Sequence, residues 1–189
     1  MSDLCALLGL DRSRVADLVA TLAAAGKTIA AAESLTAGLF TAALTEIPGS
    51  SAVLRGGIVC YATDLKHSLV GVDPDLLARV GPVDADVAVQ LAGGARARCG
   101  ATIGVGLTGV AGPEAQDGVA PGTVFVAAAT DQLSRVRALP GQHAPTDRWQ
   151  VRARAVRTAL ELVRELSAAP RDAPSPGSGT SAGPRSFRP

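Results

Sequence analysis

Aromatic residues are scarce in this sequence, and their scarcity excludes one class of function. Only 3% of the 189 residues are aromatic. Before residue 168 they are Phe40, Tyr61, Phe125 and Trp149. Proteins that bind unpaired bases stack them on several clustered aromatic rings. So few aromatic residues, spread along the whole length, predict no base-stacking platform.

Lysine is also rare, since Lys27 and Lys66 are the only lysines among 18 basic residues. The stretch 168–189 carries a net charge of +2, which leaves −1 for residues 1–167. A near-neutral body lacks the clustered positive charge with which proteins bind phosphate backbones. We therefore expect no nucleic acid partner, and each lysine is a candidate for a specific chemical role.

Cysteine is limited to Cys5, Cys60 and Cys99. Their spacing, taken together with His67 and His143, matches no metal-ligand pattern, so no metal site is expected. Unpaired cysteines of this kind are typical of buried positions in a reducing compartment. The N-terminus shows no basic segment followed by an apolar run, and no later stretch reaches transmembrane length. These features predict a cytoplasmic protein without a membrane partner.

Helical and strand periodicities alternate along the chain. Strands are predicted at 28–33, 57–61, 101–107, 123–129 and 134–139, the last two as an antiparallel hairpin. Helices are predicted from 11 to 26, at 34–46, 64–70, 84–98 and 146–166, with one more opening at Asp73-Pro74. This alternation predicts a layered α/β domain with a mixed sheet over residues 1–167. Residues 168–189, rich in Pro, Ser, Gly and Arg, are expected to form a disordered tail.

The segment 104–109 (GVGLTG) matches the dinucleotide-binding pattern G-x-G-x-x-G after a strand. That site needs a helix directly after the glycines, so that the helix N-terminus meets the pyrophosphate. Gly112-Pro113 and Pro121-Gly122 leave no room for such a helix before the next strand. The pattern favours instead a Gly-rich active-site loop at a strand end, where free backbone N–H groups can bind an anion.

Ser34 lies at a predicted junction between a strand and a helix. A serine at such a junction is most often a helix N-cap. The same position also exposes a hydroxyl beside unpaired helix N–H groups, which suits a nucleophile and its oxyanion. The residues alone leave both interpretations open.

A nucleophilic serine needs a base, and Lys66 is a candidate because it lies just past a neighbouring strand end. To act at neutral pH its pKa must fall from about 10.4 to about 7–8, which requires removal from water. Taken alone, a lysine on a short helix is more often exposed. Neither histidine is flanked by an obvious carboxylate that would orient it as a base.

Five segments of the chain resemble, in order, the motifs of the CinA C-terminal domain family. Residues 32–38 (AESLTAG) are similar to its A-E-S-C-T-G-G signature, and residues 57–66 (GIVCYATDLK) to G-G-x-x-x-Y-[ST]-N-x-x-K. Residues 107–113 (LTGVAGP) resemble T-G-x-A-G-P, and residues 121–124 (PGTV) resemble P-x-G-x-V. Residues 146–152 (TDRWQVR) are similar to G-D-R-x-x-x-R. The resemblance covers about residues 9–166.

The resemblance implies a catalytic group of three side chains. Ser34 would be the nucleophile, Lys66 the general base that activates it, and Tyr61 a hydroxyl that orients or relays the proton. No metal and no cofactor is implied.

The resemblance also implies a set of substrate-binding residues. They are Gly38, Thr108, Gly109 and Arg148. Thr108 would lie in a loop that faces the catalytic group, and Arg148 would contact a phosphate through its bidentate fork.

The implied fold is a three-layer α/β/α sandwich with a mixed sheet. The N-terminal nucleotide-hydrolase domain of longer family members is not matched, so the stand-alone form is expected. That form is an amidohydrolase of pyridine nucleotide recycling, which converts nicotinamide mononucleotide and water to nicotinate mononucleotide and ammonia. The implied partners are this small nucleotide substrate and a second copy of the chain in a homodimer.

Four positions depart from the family motifs. Leu35 replaces Cys, where only the backbone N–H would be needed, and Ala37 replaces the first Gly, which puts a methyl group near the turn. Asp64 replaces Asn and adds a negative charge near Lys66, which would raise the pKa of the lysine. Thr146 stands where Gly is usual.

These departures leave two other functions open beside the amidohydrolase. One is a binding or accessory domain that keeps the nucleotide pocket with little turnover. The other is an enzyme that acts on a different amide at the same Ser/Lys site.

Overall fold

The computed structural model describes residues 3–141 and 147–168. Within them, five strands form one sheet: β1 (Ile29–Glu33), β2 (Leu54–Val59), β3 (Ile103–Gly109), β4 (Val124–Ala129) and β5 (Ser134–Leu139). Their order is β2-β1-β3-β4-β5. Strand β1 pairs parallel with β2 and β3, whereas β3 with β4 and β4 with β5 pair antiparallel. The predicted mixed sheet and its terminal hairpin are confirmed.

The helices of the described residues are α1 (Leu4–Leu7), α2 (Arg12–Ala24), α3 (Leu39–Thr45), α4 (Thr63–Val70), α5 (Pro74–Val80), α6 (Ala85–Cys99) and α7 (Arg148–Ala168). Aspartates begin five of them, because a carboxylate accepts from a first-turn N–H in each case; they are Asp3, Asp11, Asp73, Asp84 and Asp147. Gly71 and Gly100 end α4 and α6 in the left-handed conformation. Within this part of the chain, no helix has the length and apolar content of a membrane crossing.

Helices cover both faces of the sheet, as alternate residues of β1 show. Ile29 and Ala31 point into a core shared with α2, α3 and α7. Ala30 and Ala32 point into a second core shared with α4, α5 and α6. Because successive strand residues face opposite sides, two apolar faces require two helical layers. The three-layer α/β/α sandwich is confirmed.

Several predicted boundaries differ from the observed ones: for example, β2 covers Leu54–Val59 instead of 57–61, and β3 covers Ile103–Gly109 instead of 101–107. Helix α3 begins at Leu39 instead of residue 34, because Ala37 (φ 48°) and Gly38 (φ 96°) lie outside the helical region. Helix α7 ends at Ala168, two residues beyond the predicted end at 166. The rest of the predicted tail, 169–189, lies outside the described residues, as does Thr146.

The glycine pattern at 104–109 forms no loop. These residues belong to β3, so the predicted Gly-rich loop starts only at its end. A Cβ added to Gly104 would lie 1.9 Å from the Ala92 carbonyl oxygen, and one on Gly106 would lie 2.2 Å from that of Ala88. Both carbonyls belong to α6, which packs directly on the strand. The two glycines therefore allow close helix–sheet packing, as a glycine inside a strand often does.

Adjacent glycines of α6 provide a test of how closely α6 packs on helix α4. A Cβ on Gly94 would lie 1.9 Å from the Val70 carbonyl oxygen, whereas Gly93 has nothing within 4 Å. We expect Gly94→Ala to lower the free energy of unfolding by about 3 kcal/mol or more through overpacking. Gly93→Ala is expected to raise it by about 0.5–1 kcal/mol, since alanine is the better helix former. Urea denaturation of both variants checks this, and equal effects would contradict the close contact.

Candidate active site

The candidate site lies where the three parallel strands end. Ser34 follows β1, Cys60 and Tyr61 follow β2, and Thr108 and Gly109 are the last residues of β3. The carboxyl ends of parallel strands meet at one edge of the sheet, and ligands of open α/β sheets bind there. Thr108 was expected in a loop; the structure places it in the strand, where it still reaches the same edge.

Ser34 and Lys66 are in direct contact at this edge. Lys66 Nζ lies 3.3 Å from Ser34 Oγ, a hydrogen bond in which the nitrogen donates when it is charged and accepts from the hydroxyl when it is neutral. The same nitrogen donates to the backbone carbonyls of Cys60 (3.0 Å) and Tyr61 (3.3 Å). Helix α4 follows β2 after a short turn, so it brings Lys66 back over the strand end. The two residues that sequence reasoning paired are thus adjacent in space.

Burial distinguishes between the interpretations that the sequence left open. Lys66 is only 1% exposed, so it is not an ordinary surface lysine. Burial lowers its pKa, because an ammonium loses hydration there, while Cys60 and Asp64 oppose the shift. The charge that Asp64 adds therefore does not outweigh burial. Ser34 caps no helix, since Gly38 occupies the N-cap position of α3.

Glu33 is a site residue that sequence reasoning did not single out. Its carboxylate is 1% exposed and accepts from the N–H groups of Gly38, Phe40 and Thr41 and from the Thr41 hydroxyl at 2.9–3.1 Å. We expected unpaired helix N–H groups beside Ser34. That expectation is wrong for Gly38, Phe40 and Thr41, because their N–H groups are bound by Glu33. Glu33 could have been identified from its position, because it is an acidic residue directly before a predicted helix and carboxylates bind helix N-termini.

The turn between β1 and α3 contains a backbone conformation that suits glycine. Ala37 has φ 48°, and this is the position where the family motif has its first Gly. Arg152 holds the same turn from α7, since its Nε donates to the Leu35 carbonyl (2.9 Å) and its Nη2 to the Thr36 carbonyl (3.1 Å). Sequence reasoning assigned no role to Arg152.

Replacing Ala37 by glycine is expected to stabilise the protein. A non-glycine residue in the left-handed region costs about 1–2 kcal/mol, partly offset by the greater freedom of an unfolded glycine. We expect Ala37→Gly to raise the free energy of unfolding by about 0.5–1 kcal/mol, and Tm by about 2–4 °C per kcal/mol. The exposed helical Ala20→Gly is a matched control and should be destabilising by about 1 kcal/mol. A loss of stability in both would contradict the account of the turn.

A cavity of about 130 Å³ opens at the strand ends. Among the predicted residues, Ser34, Tyr61, Lys66, Thr108, Gly109 and Arg148 line it. Thr108 is 1% exposed and donates its hydroxyl to the Pro82 carbonyl at 2.6 Å. Gly38 is the exception: its N–H donates to Glu33, and it does not line the cavity.

Arg148 and Tyr61 meet at the rim of the cavity. Arg148 begins α7, and its guanidinium donates to the Gly112 carbonyl (2.8 Å) and to the Tyr61 hydroxyl (3.1 Å). The Tyr61 side chain is 58% exposed. Among the described residues, the Tyr61 hydroxyl has no hydrogen bond to Ser34 or to Lys66. Lys66 contacts the backbone carbonyl of Tyr61 instead. A proton relay through Tyr61 stays a prediction.

His67, the histidine in the described part of the chain, does not line the cavity. His67 Nδ1 lies 2.8 Å from the Val72 carbonyl oxygen, and His143 lies outside the described residues. Over residues 3–141 and 147–168, no three His, Cys, Asp or Glu side chains lie close enough together to hold a metal ion.

Known proteins are similar to this chain in sequence and in fold. A CinA-like protein of Frankia casuarinae is 42% identical over 160 residues, which cover 85% of this chain and 36% of that protein. A crystal structure of the competence/damage inducible protein CihA from Agrobacterium tumefaciens superposes with a TM-score of 0.77 at 32% identity, covering 88% of this chain and 96% of that one. A CinA superfamily protein from Klebsiella pneumoniae gives a TM-score of 0.77 at 27% identity, covering 83% and 97%.

The chain covers different shares of the curated relatives and of the crystal structures. The chain spans about a third of the length of the curated relatives (36% of the Frankia protein), but nearly all of the matched crystal structures. The model of the CinA C-terminal domain matches residues 11–167, the region that holds the site. The chain therefore belongs to the CinA C-terminal domain family.

Proposed function

We propose that this protein is an amidohydrolase that converts nicotinamide mononucleotide and water to nicotinate mononucleotide and ammonia. The observation that carries the proposal is the set of three oxygens around Lys66 Nζ. A neutral amine has two N–H donors and one lone pair. The Cys60 and Tyr61 carbonyls take the two donors, which leaves the lone pair for the Ser34 hydroxyl. The contacts thus suit a neutral lysine that acts as a base.

The first half of the reaction transfers the acyl group to Ser34. Ser34 Oγ attacks the amide carbon while its proton passes to Lys66 Nζ, and the ammonium so formed donates to all three surrounding oxygens. Lys66 then gives this proton to the amide nitrogen, the C–N bond breaks, and ammonia leaves. Thr108 supports this step, because its own proton is committed to the Pro82 carbonyl and its oxygen can accept from the substrate NH₂.

The Leu35 N–H is the candidate donor to the negative oxygen of the tetrahedral intermediate. Leu35 directly follows the nucleophile and lines the cavity. The Leu35 carbonyl binds Arg152, and among the described residues the Leu35 N–H has no acceptor of its own. Fixed backbone donors of this kind contribute large transition-state stabilisation in acyl transfer. The replacement of the family Cys by Leu leaves this backbone group in place.

The second half of the reaction releases the acid. A water molecule attacks the ester carbon, and one of its protons passes to Lys66 Nζ. The bond between the acyl carbon and Ser34 Oγ then breaks as Lys66 returns the proton to Oγ. The products are nicotinate mononucleotide and the free enzyme, so the atoms of one water are consumed.

The cavity supports a substrate that consists of a ring and a distant anion. Its volume of about 130 Å³ is similar to that of a cavity of about 150 Å³ that holds benzene. A cavity of this size has room for the carboxamide end of the ring beside Ser34, and the sugar phosphate must lie towards the rim. There Arg148 uses only part of its donor set on Gly112 and Tyr61, so further N–H groups can bind a phosphate.

A substrate panel tests this proposal. Ammonia release is measured with nicotinamide mononucleotide, nicotinamide riboside, nicotinamide and asparagine. We expect turnover of the mononucleotide, with a lower kcat/KM for the two compounds that lack the phosphate. Turnover of a different amide alone would indicate another substrate at the same site. Binding of the mononucleotide without ammonia release would favour the accessory-domain alternative and contradict the proposal.

The pH dependence of kcat should follow Lys66. The neutral lysine is the active form, so kcat rises with pH through the pKa of this residue and falls below it. Because burial lowers that pKa, the rise should occur below the ordinary lysine value of about 10.4. Asp64→Asn removes a charge that opposes the shift, so its profile should move to lower pH. Asp75→Asn, on the exposed side of α5, should leave the profile unchanged; an unchanged profile for Asp64→Asn would contradict the assignment.

A further inference from the structure

We propose that Glu33 and Arg152 are positioning residues that hold the turn 34–38 from its two sides and so set the geometry of the Ser34 nucleophile. The inference deepens the proposed function and rests on it for the identity of the reaction. Neither side chain lines the cavity. Their effect would therefore pass through the backbone of the turn and not through contact with the substrate.

The contacts of the turn are divided between the two charges. Glu33 accepts from the N–H groups at the carboxyl end of the turn and the start of α3, through Gly38, Phe40 and Thr41. Arg152 donates from two guanidinium nitrogens, Nε and Nη2, to the carbonyls of the two residues that directly follow the nucleophile. One side chain thus holds backbone donors and the other holds backbone acceptors.

The turn needs such support because its conformation is unfavourable. Ala37 adopts φ 48°, which residues other than glycine rarely adopt. Thr36 is fully buried, and its hydroxyl oxygen has no hydrogen-bond partner among the described residues. Strained and unsatisfied groups persist only where the surroundings determine them strongly. The charge-assisted hydrogen bonds of Glu33 and Arg152 are stronger than neutral ones and supply that restraint.

Holding the turn matters for the reaction because two reacting groups belong to it. Ser34 Oγ must stay at the 3.3 Å distance from Lys66 Nζ, and the Leu35 N–H must stay fixed beside it. The carbonyl of Leu35, which Arg152 binds, lies on the same residue as that N–H. A displacement of about 1 Å in such a group can lower a catalytic rate by about 10²-fold.

Helix α7 offers a matched control for Arg152. Arg157 is half-buried like Arg152 and donates to a backbone carbonyl, that of Leu8, at 2.7 Å. Leu8 lies in the N-terminal segment and does not line the cavity. Arg152→Lys and Arg157→Lys both replace a guanidinium by a single ammonium, so a purely structural role predicts lower stability with an unchanged kcat in both variants.

The test measures both chemistry and stability in these two variants. We expect Arg152→Lys to lower kcat for ammonia release about 10- to 100-fold with KM changed less than about threefold. Arg157→Lys should keep the wild-type kcat, although its Tm falls as well. Glu33→Gln, which sets an NH₂ group against backbone donors, should lower kcat in the same way. If Glu33→Gln does not fold, the comparison of kcat between Arg152→Lys and Arg157→Lys still tests the inference.

A second readout separates this inference from the identity of the substrate. A fluorophosphonate reacts with an activated serine: the Ser34 O–P bond forms, the P–F bond breaks, fluoride leaves, and the serine proton passes to Lys66. Intact-protein mass spectrometry gives the rate. We expect Arg152→Lys to be labelled at least about 10-fold more slowly than Arg157→Lys, even if nicotinamide mononucleotide is not turned over. Equal labelling rates, or no labelling of wild-type Ser34, would overturn the inference.

Discussion

Ser34→Ala is expected to lower kcat for ammonia release from nicotinamide mononucleotide by roughly 10³- to 10⁶-fold, because it removes the atom that attacks the amide. KM should change little, since the Ser34 hydroxyl serves the chemistry more than it serves binding. Among the described residues the Ser34 side chain has one hydrogen bond, with Lys66 Nζ, and the substitution removes that one. The variant should therefore fold, as circular dichroism and thermal unfolding can check.

The control for this variant is Ser51→Ala. Ser51 is exposed in the 3-10 turn Ser50–Ala52, before β2 begins. Its replacement should leave kcat and KM at the wild-type values. Ammonia release by Ser34→Ala within tenfold of wild type would show that the amide is cleaved without this nucleophile.

Lys66→Met is expected to lower kcat by roughly 10²- to 10⁴-fold, the range that a positioned general base contributes. Methionine is similar in length and uncharged, so it can occupy the buried position without a charge. Lys66→Arg should be comparably inactive, although it keeps the positive charge, because a guanidinium does not give up its proton. Loss of activity in both variants would separate proton transfer from simple electrostatic attraction of the substrate.

Lys27 provides the matched control, since it is the only other lysine of the chain. It is partly buried, and its Nζ donates to the Ser167 carbonyl at 2.9 Å, away from the site. Lys27→Met should retain the wild-type kcat. If Lys66→Arg retained it as well, Lys66 could not be the base.

The strands that lead to the site were predictable from the sequence, because apolar periodicity and motif spacing both depend on local order. The predicted ends of β2 and β3, at residues 61 and 107, differ by two residues from the observed ends at Val59 and Gly109. The buried strand before Ser34 and the strand before Tyr61 placed both residues at one sheet edge once the pairing was parallel. The scarcity of lysine also pointed to Lys66. Its burial, however, depends on how α4 folds back over the end of β2, which local periodicity does not contain.

The turn after Ser34 could not be predicted from propensity. Residues 34–46 have helical composition, but Ala37 and Gly38 adopt positive φ angles, and Glu33 satisfies the helix N-terminus from outside it. Arg152 contacts this turn from more than a hundred residues away in the chain, so no local pattern indicates that contact. The glycines at 104 and 106 resemble a nucleotide-binding pattern, yet the space they leave is filled by the backbone of α6.

The most direct test of the central claim is the mass of the Ser34 peptide during turnover. Wild-type protein is mixed with nicotinamide mononucleotide, quenched in acid over a time course that begins in milliseconds, and digested. We expect a peptide containing Ser34 whose mass is increased by that of the substrate minus ammonia, and no such increase in Ser34→Ala. Ammonia release at the full rate with an unmodified Ser34 peptide at every time point would contradict it.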